Sequence, residues 1–243
     1  MKIGKNFIKV VEKAKEACLN AKYRHPDHFS DVGKMIPVGK GGQREIDDIK
    51  LTRYACYLIA QNGDPKKDQI AFAQTYFAIQ TRKQEIIEQR ISEIERLQER
   101  EKLSQSEKQL SGILFERGVD SEGFGRIRSK GDKALFGGNS TQQMKNKLKV
   151  PNNRALADFL PTITIKAKDF ANEITSFNTV RDNLKGEHFI SDEHVKNNAD
   201  IRKLLKKKNI EPENLPPAED IKKVQRKIKL ETKKLGKSIS QRI

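Results

Sequence analysis

Apolar positions recur at helical spacing almost from the first residue. Phe7, Ile8, Val10, Val11, Ala14, Ala17 and Cys18 predict an amphipathic helix from about Lys5 to Ala21. The loop KYRHPDHFSD follows, and then the period changes: IPVGKGGQREI alternates, turns on glycine and a cation, and alternates again to Leu51, which predicts a two-stranded finger with GKGG as its turn. Pro37 lacks an N–H and suits an edge strand, while Asp47 and Asp48 make the return strand weak by propensity. The run LTRYACYLIAQNGDP is apolar on nearly every side from Thr52 to Gln61 and closes on Asn62, Gly63 and Pro65, as a core helix does.

From Pro65 a helical pattern continues without a breaker to about Phe115. Ile70, Ala73 and Phe77 read as core, and so does the stripe Tyr54, Tyr57, Leu58, Phe72 and Tyr76, in preference to a base-stacking platform. Farther along, Ile87, Ile91 and Ile94 make a narrow seam in a charged background, the pattern of a helix that pairs with another.

The segment ERGVDSEGFGRIRSKGDKALFGGNS interrupts the helices with five glycines between Gly123 and Gly138. It reads as a Gly-rich basic linker over 119–139, between an N-terminal domain over 1–118 and a C-terminal domain over 140–243. Beyond it, Thr141 caps QQMKNKLKV, a short element from Asn153 to Leu160 stops at Pro161, and a helix covers Ile165 to Leu184. Ser191 caps DEHVKNNADIRKLLKKKNI, and Pro216 and Pro217 open a last helix. The fold class is therefore mainly α with a small β-hairpin: an α+β N-terminal domain and a helical C-terminal domain.

Composition narrows the chemistry. The 243 residues carry 49 Lys and Arg against 33 Asp and Glu, a formal charge of +16, which implies a polyanionic partner. No stretch approaches the roughly 20 apolar residues of a membrane span, and the N-terminus lacks the apolar core of a signal peptide, so a cytoplasmic, nucleoid-associated protein is expected. Cys18 and Cys56, embedded in apolar helical patterns, are expected to be buried reduced thiols.

Residues 22–85, with LTRYACYLIAQNGDP followed by AQTYFAIQTRKQE, resemble the DNA-damage-inducible protein D (DinD) family, whose N-terminal part is of the BRO-N type found in phage antirepressors. GDKALFGG, LADFLPTITIKAKDFANEIT and PENLPPAEDIKK are similar to the C-terminal half of the same family, so the resemblance spans nearly the whole chain. It implies a DNA-associated protein of the damage response or of mobile elements, with no catalytic residues and no cofactor. Family members normally begin with a strand pair and a further helix. This chain opens where that layer would be over, so that either the gene start is truncated or this member replaces the layer, as with a partner chain; uncovered apolar surface around its first helix is expected to favour a homo-oligomer.

The candidate DNA contacts follow from charge and backbone freedom. At the finger they are Lys34, Lys40, Gln43 and Arg44, with Gly39, Gly41 and Gly42 allowing close approach. In the Gly-rich segment they are Arg126, Arg128 and Lys130, although no Walker A pattern is present. On the late helices they are Lys206, Lys207, Lys208, Lys222 and Arg226, in a stretch with few acids besides Asp220 and Glu231. The ordinary alternative for each is a solvated polar face. His25, Asp27 and His28 lack the spacing of a strong zinc signal, and Glu45, Asp47, Asp48 and Lys50 form no convergent nuclease set, because alternation along a strand sends Asp48 to the opposite face. A binding protein is thus expected, and not an enzyme. The competing function is an interaction protein that docks through Ile87, Ile91 and Ile94 on a recombination or repair protein already on DNA.

Overall fold

The computed structural model describes residues 5–39 and 41–240. They fall into two compact units, which meet in the chain at Glu88 and Gln89. In the first unit α1 (Lys5–Asn20) is followed by a 3-10 turn (His25–Asp27), the antiparallel strands β1 (Phe29–Val38) and β2 (Gly42–Leu51), α2 (Arg53–Asn62) and the start of α3 (Asp68–Glu116). Its core is small: Val11, Ala14 and Cys18 of α1 meet Ala55, Leu58 and Ile59 of α2, with Phe29 at the root of the hairpin. Register pairs Phe29 with Leu51 at that root and Val38 with Gly42 at the tip.

Only the root is buried, and Val32, Met35 and Val38 are exposed along the ribbon. Ten residues per strand make it about 30 Å long. The turn closes with Gly42 N–H donating to Gly39 O at 3.1 Å, and Gly41 takes a φ of 86°, which a side chain would resist. Thr52 then fixes the start of α2: its hydroxyl accepts from Ala55 N–H at 3.3 Å, while its own N–H donates to His28 O at 3.1 Å.

The second unit holds the remainder of α3 with α4 (Ser121–Leu135), α5 (Thr141–Lys147), a 3-10 turn (Leu156–Phe159), α6 (Thr162–Arg181), α7 (Glu187–Lys206), a further 3-10 turn (Pro212–Asn214) and α8 (Ile221–Ser240). One apolar cluster gathers Leu103, Phe136, Met144, Leu160, Ile165 and Ile201, and a second gathers Leu110, Leu114, Ile127 and Ile190. Arg96 of α3, itself buried, donates to three carbonyls: Leu160 at 3.0 Å, Asp158 at 2.7 Å and Glu219 at 2.6 Å. It thereby ties the Leu156–Phe159 turn and the approach to α8 onto α3. Burial lowers its pKa from the usual arginine value.

The mainly helical class with one small hairpin is what the pattern predicts, and several details differ. The expected linker over 119–139 is for the most part a helix, α4, with Gly123, Ile127, Gly131, Asp132 and Leu135 buried. The reason lies in its glycines: a methyl group at Gly131 would fall inside 3.0 Å of the His194 ring and 2.9 Å from Asn198 Nδ2, so α4 and α7 approach more closely than alanine permits. The first helix after it is capped by Ser140, not Thr141, in a reciprocal box with Gln143. Ser191 is buried one turn inside α7, which starts after Gly186 with a φ of 79°. Cys18 is buried as expected, but Cys56 is exposed. Among the described residues no helix is long and apolar enough to cross a membrane.

Candidate nucleic-acid interface

Alternation along the hairpin decides where its charges point. Lys34 lies 3.7 Å from Asp48 of the facing strand, both partly exposed. Gln43 and Arg44 stand exposed near the tip, and Arg44 has no carboxylate within 4.0 Å among the described residues, whereas Lys40 falls outside them. Glu45 and Asp47 are exposed on the same ribbon, and the Glu45 carboxylate overlies Gly33. The shaft is thus of mixed charge. His28 Nδ1 is 3.0 Å from Thr52 Oγ1, which holds the ring beside Tyr54.

The cations of the Gly-rich segment are mostly committed within the protein. Arg126 grips Glu187 with two donors, Nε to Oε1 at 2.8 Å and Nη2 to Oε2 at 2.7 Å, and Asp120 and Glu122 stand at 3.9 and 3.6 Å. This pairing pushes the guanidinium above its ordinary range and holds the Glu187 carboxyl below its own. Arg128 is 3.4 Å from Glu107 of α3. These two arginines strap α4 to α7 and α3, and Lys130 alone of the three is exposed without an ion-pair partner among the described residues.

The late cations are arranged differently. Lys206, Lys207 and Lys208 end α7 exposed and unpaired among the described residues, where positive charge also complements the helix terminus. Lys206 lines a hollow of about 410 Å³ with Asn209, Glu211 and Asn214. Arg202 and Lys203, one turn back, are instead bound to Glu213 at 2.6 Å and Asp200 at 2.9 Å.

On α8, Ile221 and Val224 are buried while Lys222, Lys223, Arg226, Lys229 and Lys233 are exposed. Spacings of four, three and four residues place Lys222, Arg226, Lys229 and Lys233 in one row along the helix. Rises of about 4.5–6 Å separate neighbours in that row.

The two acids that could have neutralised this row are drawn away. Asp220 accepts from Arg154 at 2.5 and 2.6 Å, which lowers its pKa, and Glu231 pairs with Arg90 of α3. Lys227 is the one α8 cation tied to an acid among the described residues, Glu93 at 3.2 Å. Sequence reasoning saw the scarcity of acids but not their capture. The local pattern carries no signal of it, because Arg90 and Arg154 each already have a nearby acid, Glu93 at 2.5 Å and Asp158 at 3.0 Å, and the second partner is 66 or more residues away.

Of the apolar residues expected to be core on early α3, Ile70, Ala73 and Phe77 are half-buried and Phe72 and Tyr76 are exposed, and the seam expected to pair with another helix lies open. Tyr57 is half-buried, and Ile87, Ile91 and Ile94 are 52%, 61% and 41% exposed.

This basic helical unit corresponds to a recognised protein class: residues 91–224 match the DinD C-terminal domain. The chain belongs to the DNA damage-inducible protein D family. It is 32% identical over 238 residues to DNA damage-inducible protein D of Escherichia coli (strain K12), covering 95% of this chain and 87% of that protein.

Proposed function

We propose that this protein binds DNA, mainly through phosphates, as part of the response to DNA damage, recombination or mobile-element regulation. It acts as a binding protein and not as an enzyme, associated with the nucleoid in the cytoplasm. The name of its Escherichia coli relative supports the damage-response setting. The observation that carries the DNA reading is the row Lys222, Arg226, Lys229 and Lys233, exposed and without a carboxylate partner among the described residues, where Arg154 and Arg90 occupy Asp220 and Glu231. A row of cations about one helical turn apart can follow a chain of phosphates, and each neutralised phosphate releases counterions. Lys206, Lys207, Lys208 and Lys130 extend the cationic surface of the same unit, and the hairpin tip with Gln43 and Arg44 adds a contact in the first unit.

The test is a titration of labelled duplex by fluorescence anisotropy at a series of salt concentrations. Each phosphate contact contributes about 0.9 to the slope of log affinity against log salt, so Lys222→Ala, Arg226→Ala and Lys229→Ala together reduce it by roughly 2 to 3. Equal slopes for the wild type and the triple variant would remove α8 from the interface.

A second reading rests on the exposed Ile87, Ile91 and Ile94: the protein modulates a recombination or repair protein already on DNA. In that case Ile91→Asp abolishes the effect on the partner and the triple cation variant retains it. The exposed Phe7, Ile8 and Leu19 of α1 support a homo-oligomer, which sedimentation would detect.

A further inference from the structure

We propose that an aromatic groove in the first unit receives unpaired nucleobases, so that the protein prefers single-stranded to duplex DNA. The inference rests on the DNA reading above and adds to it a place for the bases. Between α2 and early α3 lies a hollow of about 680 Å³ whose walls include Tyr54, Tyr57 and Phe77. Tyr57 and Phe77 meet edge to face with centroids 5.1 Å apart, Phe77 meets Tyr76 in the same way at 5.4 Å, and Tyr76 lies nearly parallel to Phe72 at 6.5 Å. On the other side Tyr23 and His28 pack against Tyr54, at 5.3 and 4.9 Å. The rings form a file in two sets, Tyr23, His28 and Tyr54 in one and Tyr57, Phe77, Tyr76 and Phe72 in the other, which come together in the lining of the hollow, and Phe72 is 74% exposed. Rings of this size are normally used to fill cores, so a file of them facing solvent marks a binding surface.

The lining identifies the occupant. An amphipathic helix from a protein partner would require an aliphatic floor, and among the described residues none that lines the hollow is aliphatic. The rest of the wall is polar: Gln80, Thr81 and Gln84 can hydrogen-bond base edges while the rings stack on base faces. The Arg53 guanidinium lies 5.5 Å from the Tyr76 ring centroid and donates to its hydroxyl at 3.0 Å, leaving a positive charge at the rim. Glu85 and Glu88 close the opposite rim, Glu85 paired with Arg82 at 3.0 Å and Glu88 accepting from Gln84 at 2.8 Å. This polarity sets the strand's phosphates on the Arg53 side and its bases over the rings. In a duplex the base faces are already stacked on one another and cannot reach the file.

The chain itself supplies the probe. It has no tryptophan and four tyrosines, and all four, Tyr23, Tyr54, Tyr57 and Tyr76, belong to the file, so intrinsic tyrosine emission reports on this surface. The full chain is titrated at low salt with an oligothymidylate strand and with a duplex of equal length, while anisotropy of labelled copies records binding. The single strand is expected to quench tyrosine emission and the duplex to bind without quenching. Phe72→Ala, which removes an exposed ring, and Tyr57→Leu should each weaken single-strand binding by roughly tenfold or more and leave duplex binding unchanged. Single-strand binding with unaltered emission and wild-type affinity in both variants overturns the groove proposal and leaves the rings to a protein surface. Equal quenching by both DNAs overturns it as well. If neither DNA binds at low salt, the DNA reading itself fails and the groove goes with it.

Discussion

Two glycines six residues apart on α4 should respond to alanine with opposite signs. Gly125 faces open space, with nothing within 4 Å of an added methyl group. There the substitution only removes a helix-interior glycine, so Gly125→Ala stabilises by about 0.5–1 kcal/mol. At Gly131 the same methyl falls inside 3.0 Å of His194 Cδ2 and Nε2 and 2.9 Å from Asn198 Nδ2. The ring has nowhere to turn: His194 is buried, and its Nδ1 is 3.0 Å from Thr175 Oγ1. Either α4 and α7 part, or the imidazole gives up that hydrogen bond. Overpacking of this kind costs about 1–3 kcal/mol and the lost bond about 1 kcal/mol more, against the roughly 1 kcal/mol returned by helix propensity.

The steric effect wins, and Gly131→Ala is expected to destabilise by about 1–3 kcal/mol. In a chain of this size that is a fall in Tm of roughly 2–12 °C, against a rise of about 1–4 °C for Gly125→Ala. Thermal unfolding followed by far-UV circular dichroism reads both. A Gly131→Ala protein as stable as the wild type would falsify the close α4–α7 packing and return the segment to the linker its glycines suggest.

Other consequences concern the interior of the second unit. Burial holds the His194 pKa at about 4, down from 6.5, so the folded state binds its proton later than the unfolded chain does. The stability this contributes is present above pH 6.5 and is lost as pH falls toward 4; about 2 kcal/mol should disappear between pH 7.5 and 5 in urea unfolding, and His194→Asn should flatten that part of the profile. Arg96→Met removes three donors from the carbonyls of Leu160, Asp158 and Glu219 and should cost about 2–4 kcal/mol, with Arg96→Lys restoring only part, as judged by the urea midpoint. Lys168→Met leaves the buried Asp132 carboxylate without its cation, with only the Thr141 hydroxyl still donating to it at 2.6 Å; a loss of about 3–5 kcal/mol is expected, and an unchanged midpoint would show that the pair is not formed.

The helices whose apolar spacing is regular, α1, α2 and α8, were legible within a residue or a few, because each buries one stripe against a local neighbour. Glycine misled at α4. In a single sequence it signals flexibility, and only the three-dimensional neighbour, His194 at Gly131, shows that it serves close packing. Aromatic spacing misled at Tyr76 and Phe72, since period alone reveals a shared face but not whether anything covers it. The candidate cations divided along the same line. Charge and local acid content separated the α8 row from its surroundings, but the pairing of Arg126 with Glu187, 61 residues away, leaves no trace in the local pattern.

The capture of Asp220 and Glu231 also means that the strength of the α8 row is governed from positions that would never touch a nucleic acid. Exchanging Arg154 or Arg90 for a neutral residue would hand a carboxylate back to the lysines. The charge this helix presents can therefore be turned up or down with the lysines themselves left unaltered.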